Sequence, residues 1–206
     1  GFSTAIAGLF LPRITAMVTN NEGDGRISDL FIKTGRLQYI IMAFILSGFV
    51  VFGKYFIIFW AGPDYVEAYY IALVLFVPLF IPLIQNIGIT ILQAKNKMKF
   101  RSILYAVLSI GSLGISIPLA KQYGGIGCAV GTASALVIGQ IIIMNIYYHK
   151  KVGLDMIEFW KEIGRMSVVP ALLCSTSLVL LQYINLDSLL LFVVAVILFS
   201  IVYMIT

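Results

Sequence analysis

The sequence predicts an all-α fold: a polytopic bundle of transmembrane helices with six complete spans and the end of a seventh. Hydrophobic residues make up 61% of the 206 positions, charged residues make up 11%, and the mean hydropathy is +1.02. Soluble domains are about 45–50% apolar and about 25% charged. A chain of this length cannot bury so large an apolar excess in one core. The composition therefore excludes a water-soluble enzyme, a nucleic-acid-binding domain and a disordered chain.

Continuous apolar runs define the predicted spans, because about 20 apolar residues are needed to cross a bilayer core. The first complete run, Leu37–Phe59, contains Lys54 near its end, where a long cationic side chain reaches the interface. Before it, Gly1–Thr19 is interpreted as the end of another helix. The remaining runs are Tyr69–Gln93, Ser102–Ala120, Ile126–Tyr148, Met166–Ile184 and Leu189–Thr206. Continuous runs favour helices over the alternating strands of a membrane barrel.

Basic residues are confined to alternate connections between the predicted spans. The segment Asn20–Arg36 and the connections Ala94–Arg101 and His149–Arg165 together hold eleven Lys and Arg residues, whereas the opposite connections hold only Lys121. Loops rich in Lys and Arg face the cytoplasm. We therefore expect the basic connections and the C-terminus on the inner side of the membrane. The connections expected outside are Trp60–Ala68, Lys121–Gly125 and Asn185–Ser188.

Three parts are expected along the chain: a bundle over residues 1–148, a cytoplasmic amphipathic connection over residues 149–165 and an additional transmembrane hairpin over residues 166–206. In the connection, Asp155 and Glu158 have the spacing of a helix-capping box. Apolar residues then recur about every three positions, as in a short helix lying in the membrane plane. Such a helix fits either a simple linker or a lipid sensor. We expect the chain to be part of a longer transporter, since it lacks an initiator Met and ends within an apolar run.

Polar groups share one side of the predicted helix Tyr69–Gln93. At 100° per residue, Pro78 and Pro82 fall on the same side as the amides of this run. Each proline removes a backbone donor and leaves a carbonyl to be satisfied by neighbours or water. Two interpretations stay open, namely hydrogen bonds that hold the helices together and the lining of a water-filled cavity. The candidate cavity residues on this helix are Gln85, Asn86, Thr90 and Gln93.

Arg13 is the fifth candidate substrate-binding residue. It directly follows Pro12 in an apolar stretch, where a charged side chain is costly and usually functional. A guanidinium can hold a phosphate through two parallel hydrogen bonds. The alternative is a snorkelling side chain that anchors the cytoplasmic end of its helix.

Small residues predict close packing of the runs Ser102–Ala120 and Ile126–Tyr148 and a tight turn between them. Gly127, Gly131, Ala135 and Gly139 repeat at four-residue spacing, and a stripe of serines in Ser102–Ala120 includes Ser116. Such stripes let helix backbones approach closely. The Gly124-Gly-Ile-Gly127 cluster is interpreted as a hairpin turn, because the strand and the Gly-Lys-Ser/Thr ending of a phosphate-binding loop are missing.

The sequence offers no catalytic or metal-binding pattern. His149 is the single histidine and lies beside inner-loop lysines, while Cys128 and Cys174 are isolated thiols in apolar runs. The acidic residues all lie in connections or at their edges. We expect a transporter and not an enzyme, with no catalytic residues, no cofactor, no metal and no nucleic-acid partner.

Several short motifs are spread over residues 1–150. They include Leu11-Pro-Arg-Ile-Thr15, Gly35-Arg-Leu-Gln38, Phe59-Trp-Ala-Gly62, Gln85-Asn-Ile-Gly88, Gln93-Ala-Lys-Asn-Lys97 and Tyr123-Gly-Gly-Ile-Gly-Cys-Ala-Val-Gly-Thr132. Together these motifs resemble the polysaccharide exporter family, the Wzx-type O-antigen flippases. Their order and helix spacing correspond to the C-terminal half of that family, whereas residues 151–206 match only in hydropathy.

The resemblance implies a member of the MATE-like flippase superfamily, with two six-helix bundles around a central cavity. It also implies alternating access in a bacterial inner membrane. The implied substrate is an undecaprenyl-pyrophosphate-linked oligosaccharide, an O-antigen or capsule repeat unit, moved from the inner to the outer leaflet. Membrane lipid and other glycan-assembly membrane proteins are the further partners that it implies.

Three other functions stay open. A lipid II flippase is expected to carry more cationic residues within its helices, and a MATE-type drug exporter is expected to carry an acidic residue there. A membrane-embedded glycan polymerase or glycosyltransferase belongs to a different class. It is expected to have large loops with clustered Asp, Arg or His.

Overall fold

The described part of the chain is almost entirely helical. The computed structural model describes residues 8–20, 22–183 and 189–205, and no strand occurs in these ranges. The start of the predicted Gly1–Thr19 helix and the predicted connection Asn185–Ser188 lie outside the described residues. The helices are α1 (Leu11–Thr19), α2 (Asp24–Ala61), α3 (Val66–Ile84), α4 (Ile87–Ala94), α5 (Met98–Leu136), α6 (Met144–Tyr147), α7 (Met156–Tyr183) and α8 (Leu189–Ile205). A 3₁₀ turn, Pro63–Tyr65, precedes α3, and the π-helical segments Val137–Ile143 and Tyr148–Val152 flank α6.

Long apolar helices with apolar outer surfaces indicate a membrane-embedded bundle. Within the described ranges, four helical segments are long and apolar enough to cross a membrane, and α8 is a shorter apolar helix. Ile110 on α5 is 74% exposed and Leu172 on α7 is 61% exposed. Many exposed aliphatic side chains of this kind are unfavourable in water and suit a lipid environment. The four segments are Asp24–Ala61, Pro63–Ile84, Met98–Val152 and Met156–Leu181.

Residues 98–152 form a helical hairpin that reverses at Gly124. This glycine has φ 60° and ψ −137°, which lies outside the helical region, whereas the chain is helical on both sides of it. Across the hairpin, the Ser116 hydroxyl donates to the carbonyl of Cys128 at 3.4 Å. At the other end, the rings of Phe100 and Tyr147 stack with centroids 4.0 Å apart. The arms are therefore antiparallel, and the predicted turn at Lys121–Gly125 is confirmed.

The small-residue stripe lies on the seam between the two arms, as predicted. A Cβ atom added to Gly127 would overlap the backbone carbonyl of Leu119, and one added to Gly131 would overlap Ser116. Gly127 and Gly131 are both buried. Only glycine allows the arms to approach this closely at these two positions.

Several helices begin earlier than the apolar runs that identified them. The run Leu37–Phe59 is part of α2, which starts at Asp24, because hydropathy marks the membrane-crossing part of a helix and not its first residue. The Asp155 carboxylate accepts hydrogen bonds from the backbone N–H groups of Ile157 (3.1 Å) and Glu158 (3.0 Å), as expected for a helix cap. The prediction of a short, separate helix in the connection is wrong, because residues 156–165 form the first turns of the continuous helix α7.

The prediction of one continuous helix over Tyr69–Gln93 is wrong. Helix α3 ends at Ile84 and α4 begins at Ile87. The backbone N–H of Gly88 donates to the carbonyl of Gln85 at 2.8 Å, a turn tighter than the α-helix. Pro78 and Pro82 lie inside α3 and each removes one backbone donor from it. The assumed 100° spacing therefore does not extend across the turn.

Three connections meet at one end of the bundle, called here the basic end (residues 24–36, 94–101 and 148–165). Lys95 donates to the Asp24 carboxylate at 2.6 Å and to the carbonyl of Val152 at 2.7 Å. Arg36 on α2 pairs with Glu162 on α7 at 3.1 Å. The largest core cluster lies beside these contacts and includes fully buried residues from α1, α2, α4 and α7. The basic end is therefore a fixed structure in which the connections hold one another.

Candidate functional site

The turn between α3 and α4 is buried inside the bundle. Gln85 and Asn86 are 3% and 6% exposed, and Ile84 and Ile87 on either side are completely buried. In an apolar environment, backbone and amide groups at such an interruption need hydrogen-bond partners within the protein. The interruption therefore defines a polar site that is flanked by apolar side chains on both helices.

Asn145 is the centre of the hydrogen bonds at this site. Its side-chain oxygen accepts from the Gln85 amide at 3.0 Å and from the indole N–H of Trp160 at 2.8 Å. One side-chain oxygen thus joins α3, the second arm of the hairpin and α7. We refer to Gln85, Asn145 and Trp160 as the amide cluster.

The π-helical geometry explains why Asn145 is needed at its position. Wider turns leave carbonyls of the preceding segment without their usual α-helical partners, and π-helical turns are frequent at functional sites. The Asn145 side-chain nitrogen donates to the carbonyls of Gln140 (3.1 Å) and Ile141 (2.9 Å) in the segment Val137–Ile143. The same side chain therefore satisfies its own helix and binds two neighbours.

Two further amides beside the cluster retain unused donors. Within the described residues, the side-chain nitrogens of Asn86 and Gln140 are buried and have no hydrogen-bond partner. An unsatisfied buried polar group costs about 1–3 kcal/mol. The interior here carries more hydrogen-bonding capacity than its own contacts use.

A cation and two phenols border the site toward the basic end. Arg101 donates to the Tyr105 hydroxyl at 2.6 Å and to the Tyr148 hydroxyl at 3.4 Å. Tyr148 is 1% exposed, and its ring lies against Gly88, where an added Cβ would be 2.7 Å from the hydroxyl oxygen. Gly88 is therefore required for the approach of the hairpin to α4.

Arg13 lies apart from the amide cluster. On α1, Ile14 and Met17 face the core, whereas Arg13 is exposed and lines a groove between α1 and the start of α2. The groove contains charged and apolar side chains and does not include Gln85 or Asn86.

The structure brings some of the predicted site residues together and separates others. Gln85, Asn86 and Thr90 are buried near the turn between α3 and α4, while Gln93 is exposed on α4 and Arg13 is exposed on α1. The arrangement of Gln85 matches the interpretation in which amides hold helices together, because its partner is another side chain. Of the five predicted residues, only Arg13 lines the groove between α1 and α2.

Sequence reasoning missed three participants: Asn145, Trp160 and Gln140. The Trp160 indole is half-buried and its N–H is directed to Asn145. A signal for the two amides existed, since they are the only amides of the run Ile126–Tyr148. Amides in a transmembrane helix usually bond across helices.

The chemistry of the site is hydrogen bonding by amides, hydroxyls and an indole. In the described ranges, no group of three or more His, Cys, Asp or Glu side chains has the arrangement of a metal site.

Comparisons with protein-family models, with curated proteins and with solved structures find no match to the chain.

Proposed function

We propose that the protein translocates an undecaprenyl-pyrophosphate-linked oligosaccharide, an O-antigen or capsule repeat unit, across a bacterial inner membrane. The resemblance of its motifs to polysaccharide exporters supports this function. A sugar headgroup needs a polar path through hydrocarbon, while its polyprenyl chain remains soluble in lipid. The protein acts as a flippase by alternating access and not as an enzyme.

The buried turn at Gln85 and Asn86 carries the proposal. Transporters commonly build substrate sites where a transmembrane helix is discontinuous, because backbone and amide groups become available at membrane depth. Here α3 and α4 are interrupted among apolar side chains, and neighbouring amides keep donors without partners. Hydroxyl groups of a sugar are suitable partners for such donors.

The proposed topology has six complete spans and the end of a seventh. The hairpin over residues 98–152 supplies two of them, since each arm is long enough to cross a bilayer core of about 30 Å. The basic end faces the cytoplasm by the positive-inside rule. The C-terminus then also lies inside.

The test is export of a surface glycan by cells that depend on the full-length protein. Arg13→Ala and Gln85→Ala should each reduce surface glycan and cause the lipid-linked oligosaccharide to accumulate inside. Lys150→Ala, which removes an exposed inner-loop cation, is the matched control and should leave export unchanged. Normal surface glycan in cells lacking the protein would reject the proposal.

The same cells separate the other functions. Loss of peptidoglycan precursors at the outer leaflet would indicate a lipid II flippase, and sensitivity to cationic drugs alone would indicate a drug exporter. Accumulation of short glycans that have already reached the outer surface would indicate a polymerase.

A further inference from the structure

A charged groove at the basic end is lined by residues of α1, of α2 and of the connection between them. The groove has a volume of about 400 Å³, within the range of small-ligand sites. Met17 and Leu30, both buried, contribute apolar surface to it. Its charged side chains are Arg13 from α1, Glu22 from the connection, and Arg26, Asp29 and Lys33 from α2.

The charges on α2 lie on one face of the helix, because residues three, four and seven positions apart are neighbours there. Arg26 pairs with Glu22 at 3.4 Å. Within the described residues, Arg13, Asp29 and Lys33 have no ion-pair partner. The groove therefore presents two unpaired cations and one unpaired carboxylate beside an apolar surface.

Several other cations of the basic end form contacts that hold the structure together. Lys95 binds Asp24, and Arg36 binds Glu162. Lys97 donates to the backbone carbonyl of Lys151. Arg13 and Lys33 differ from these residues because no described contact uses their charge, although Arg13 lies in an apolar helix where an uncompensated cation is costly.

We propose that this groove binds the phosphorylated sugar headgroup of the lipid-linked substrate on the cytoplasmic side, before translocation. Arg13 and Lys33 hold the pyrophosphate, because guanidinium and ammonium groups form strong charge-assisted hydrogen bonds with phosphate oxygens. Asp29 accepts hydrogen bonds from hydroxyls of the first sugar. The apolar surface at Met17 and Leu30 lies beside the start of the polyprenyl chain. This inference rests on the proposed function.

The test measures the affinity of the purified full-length protein for undecaprenyl pyrophosphate in neutral detergent micelles. The double variant Arg13→Gln/Lys33→Gln should bind at least about tenfold more weakly, as expected for the loss of charge-assisted contacts. Lys99→Gln/Lys150→Gln removes the same charge from exposed inner-loop positions outside the groove and should bind like the unmodified protein. A second arm uses phosphatidylglycerol, a phosphate lipid without pyrophosphate or substrate sugar, and its affinity should change by less than about twofold.

Asp29→Asn separates the sugar contact from the pyrophosphate contact. It should weaken binding of the sugar-bearing lipid and leave binding of sugar-free undecaprenyl pyrophosphate undiminished. All variants change exposed side chains, and unchanged melting temperatures will verify that they fold.

The outcomes distinguish this site from the proposed function. Unchanged affinity of the groove variant, an equal loss in Lys99→Gln/Lys150→Gln, or an equal loss for phosphatidylglycerol would overturn the groove site even if the protein exports glycan. A selective loss of pyrophosphate binding would support the groove site, and normal surface glycan in cells lacking the protein would then reject export alone.

Discussion

Gln85 donates its side-chain amide to Asn145, 60 positions further along the chain, at 3.0 Å. The bond links the end of α3 to the second arm of the hairpin. The same acceptor oxygen receives the indole N–H of Trp160 from α7. Three helical elements therefore depend on the orientation of a single amide.

Replacement of Asn145 by leucine should destabilise the protein by about 1–3 kcal/mol, the cost of leaving buried donors and acceptors without partners. The Gln85 amide, the Trp160 indole and the carbonyls of the π-helical segment all lose this partner. Denaturation in detergent micelles, followed by circular dichroism, measures the effect. Ser109→Ala removes an exposed hydroxyl that bonds only to its own helix and is the control. Equal stability of the two variants would show that the amide cluster does not hold the helices together.

Alanine is expected to have different effects at two glycines of the hairpin, one on the seam between the arms and one away from it. At Gly127 an added Cβ meets the backbone carbonyl of Leu119, which cannot rotate away. Gly127→Ala should therefore cost about 1–3 kcal/mol, as overpacking does. At Gly111, on the same hairpin, an added Cβ meets no atom within 4 Å. Gly111→Ala should be neutral or stabilise by up to about 1 kcal/mol, because alanine is the better helix former.

Unfolding midpoints of the two glycine variants in the same detergent give the comparison. If Gly127→Ala were as stable as Gly111→Ala, the arms of the hairpin would have to lie further apart than described here.

Lys95 is expected to contribute more to the stability of the protein than the exposed Lys161 of the basic end. Its side chain is only 12% exposed, and it bonds to both Asp24 and the carbonyl of Val152. Lys95→Met should lower the free energy of unfolding by about 1–3 kcal/mol. Lys161, whose side chain is 57% exposed, pairs with Glu158 within one helix, and Lys161→Met should change stability by less than about 0.5 kcal/mol.

Urea denaturation of both lysine variants in micelles checks this prediction. Equal losses would mean that Lys95 is an ordinary surface residue and that the three connections do not support one another.

Composition and periodicity were sufficient for the helical class and for the turn at Gly124, because both follow from local properties of the chain. The interruption after Ile84 was not predicted. The run Tyr69–Gln93 is apolar apart from its amides and Thr90, and hydropathy does not detect a two-residue turn. The two prolines predict the loss of backbone hydrogen bonds in this helix. The position of the turn depends on tertiary contacts.

Only part of the candidate site could be predicted, because burial follows from local polarity whereas the pairing of side chains depends on the tertiary structure. Gln85, Asn86 and Thr90 are buried, as a polar face that avoids lipid requires. The pairing of Gln85 with Asn145 joins separate apolar runs and has no signature in either. The sequence groups Arg13 with the amides, whereas the structure places it in a groove with Arg26 and Lys33. The sequence signal of those two residues is the basic segment that predicts membrane orientation.

The orientation of the hairpin gives a topology test that does not depend on substrate. Lys99 and Lys121 lie 22 positions apart on one arm, which is about 33 Å along an α-helix and close to the thickness of a bilayer core. With Cys128→Ser and Cys174→Ala as background, a membrane-impermeant maleimide should label Lys121→Cys in intact cells. Lys99→Cys should be labelled only after permeabilisation, because the proposed topology places the basic end inside. Tyr65→Cys, in the connection expected outside, is the positive control, and labelling of Lys99→Cys together with Tyr65→Cys in intact cells would contradict the six-span topology.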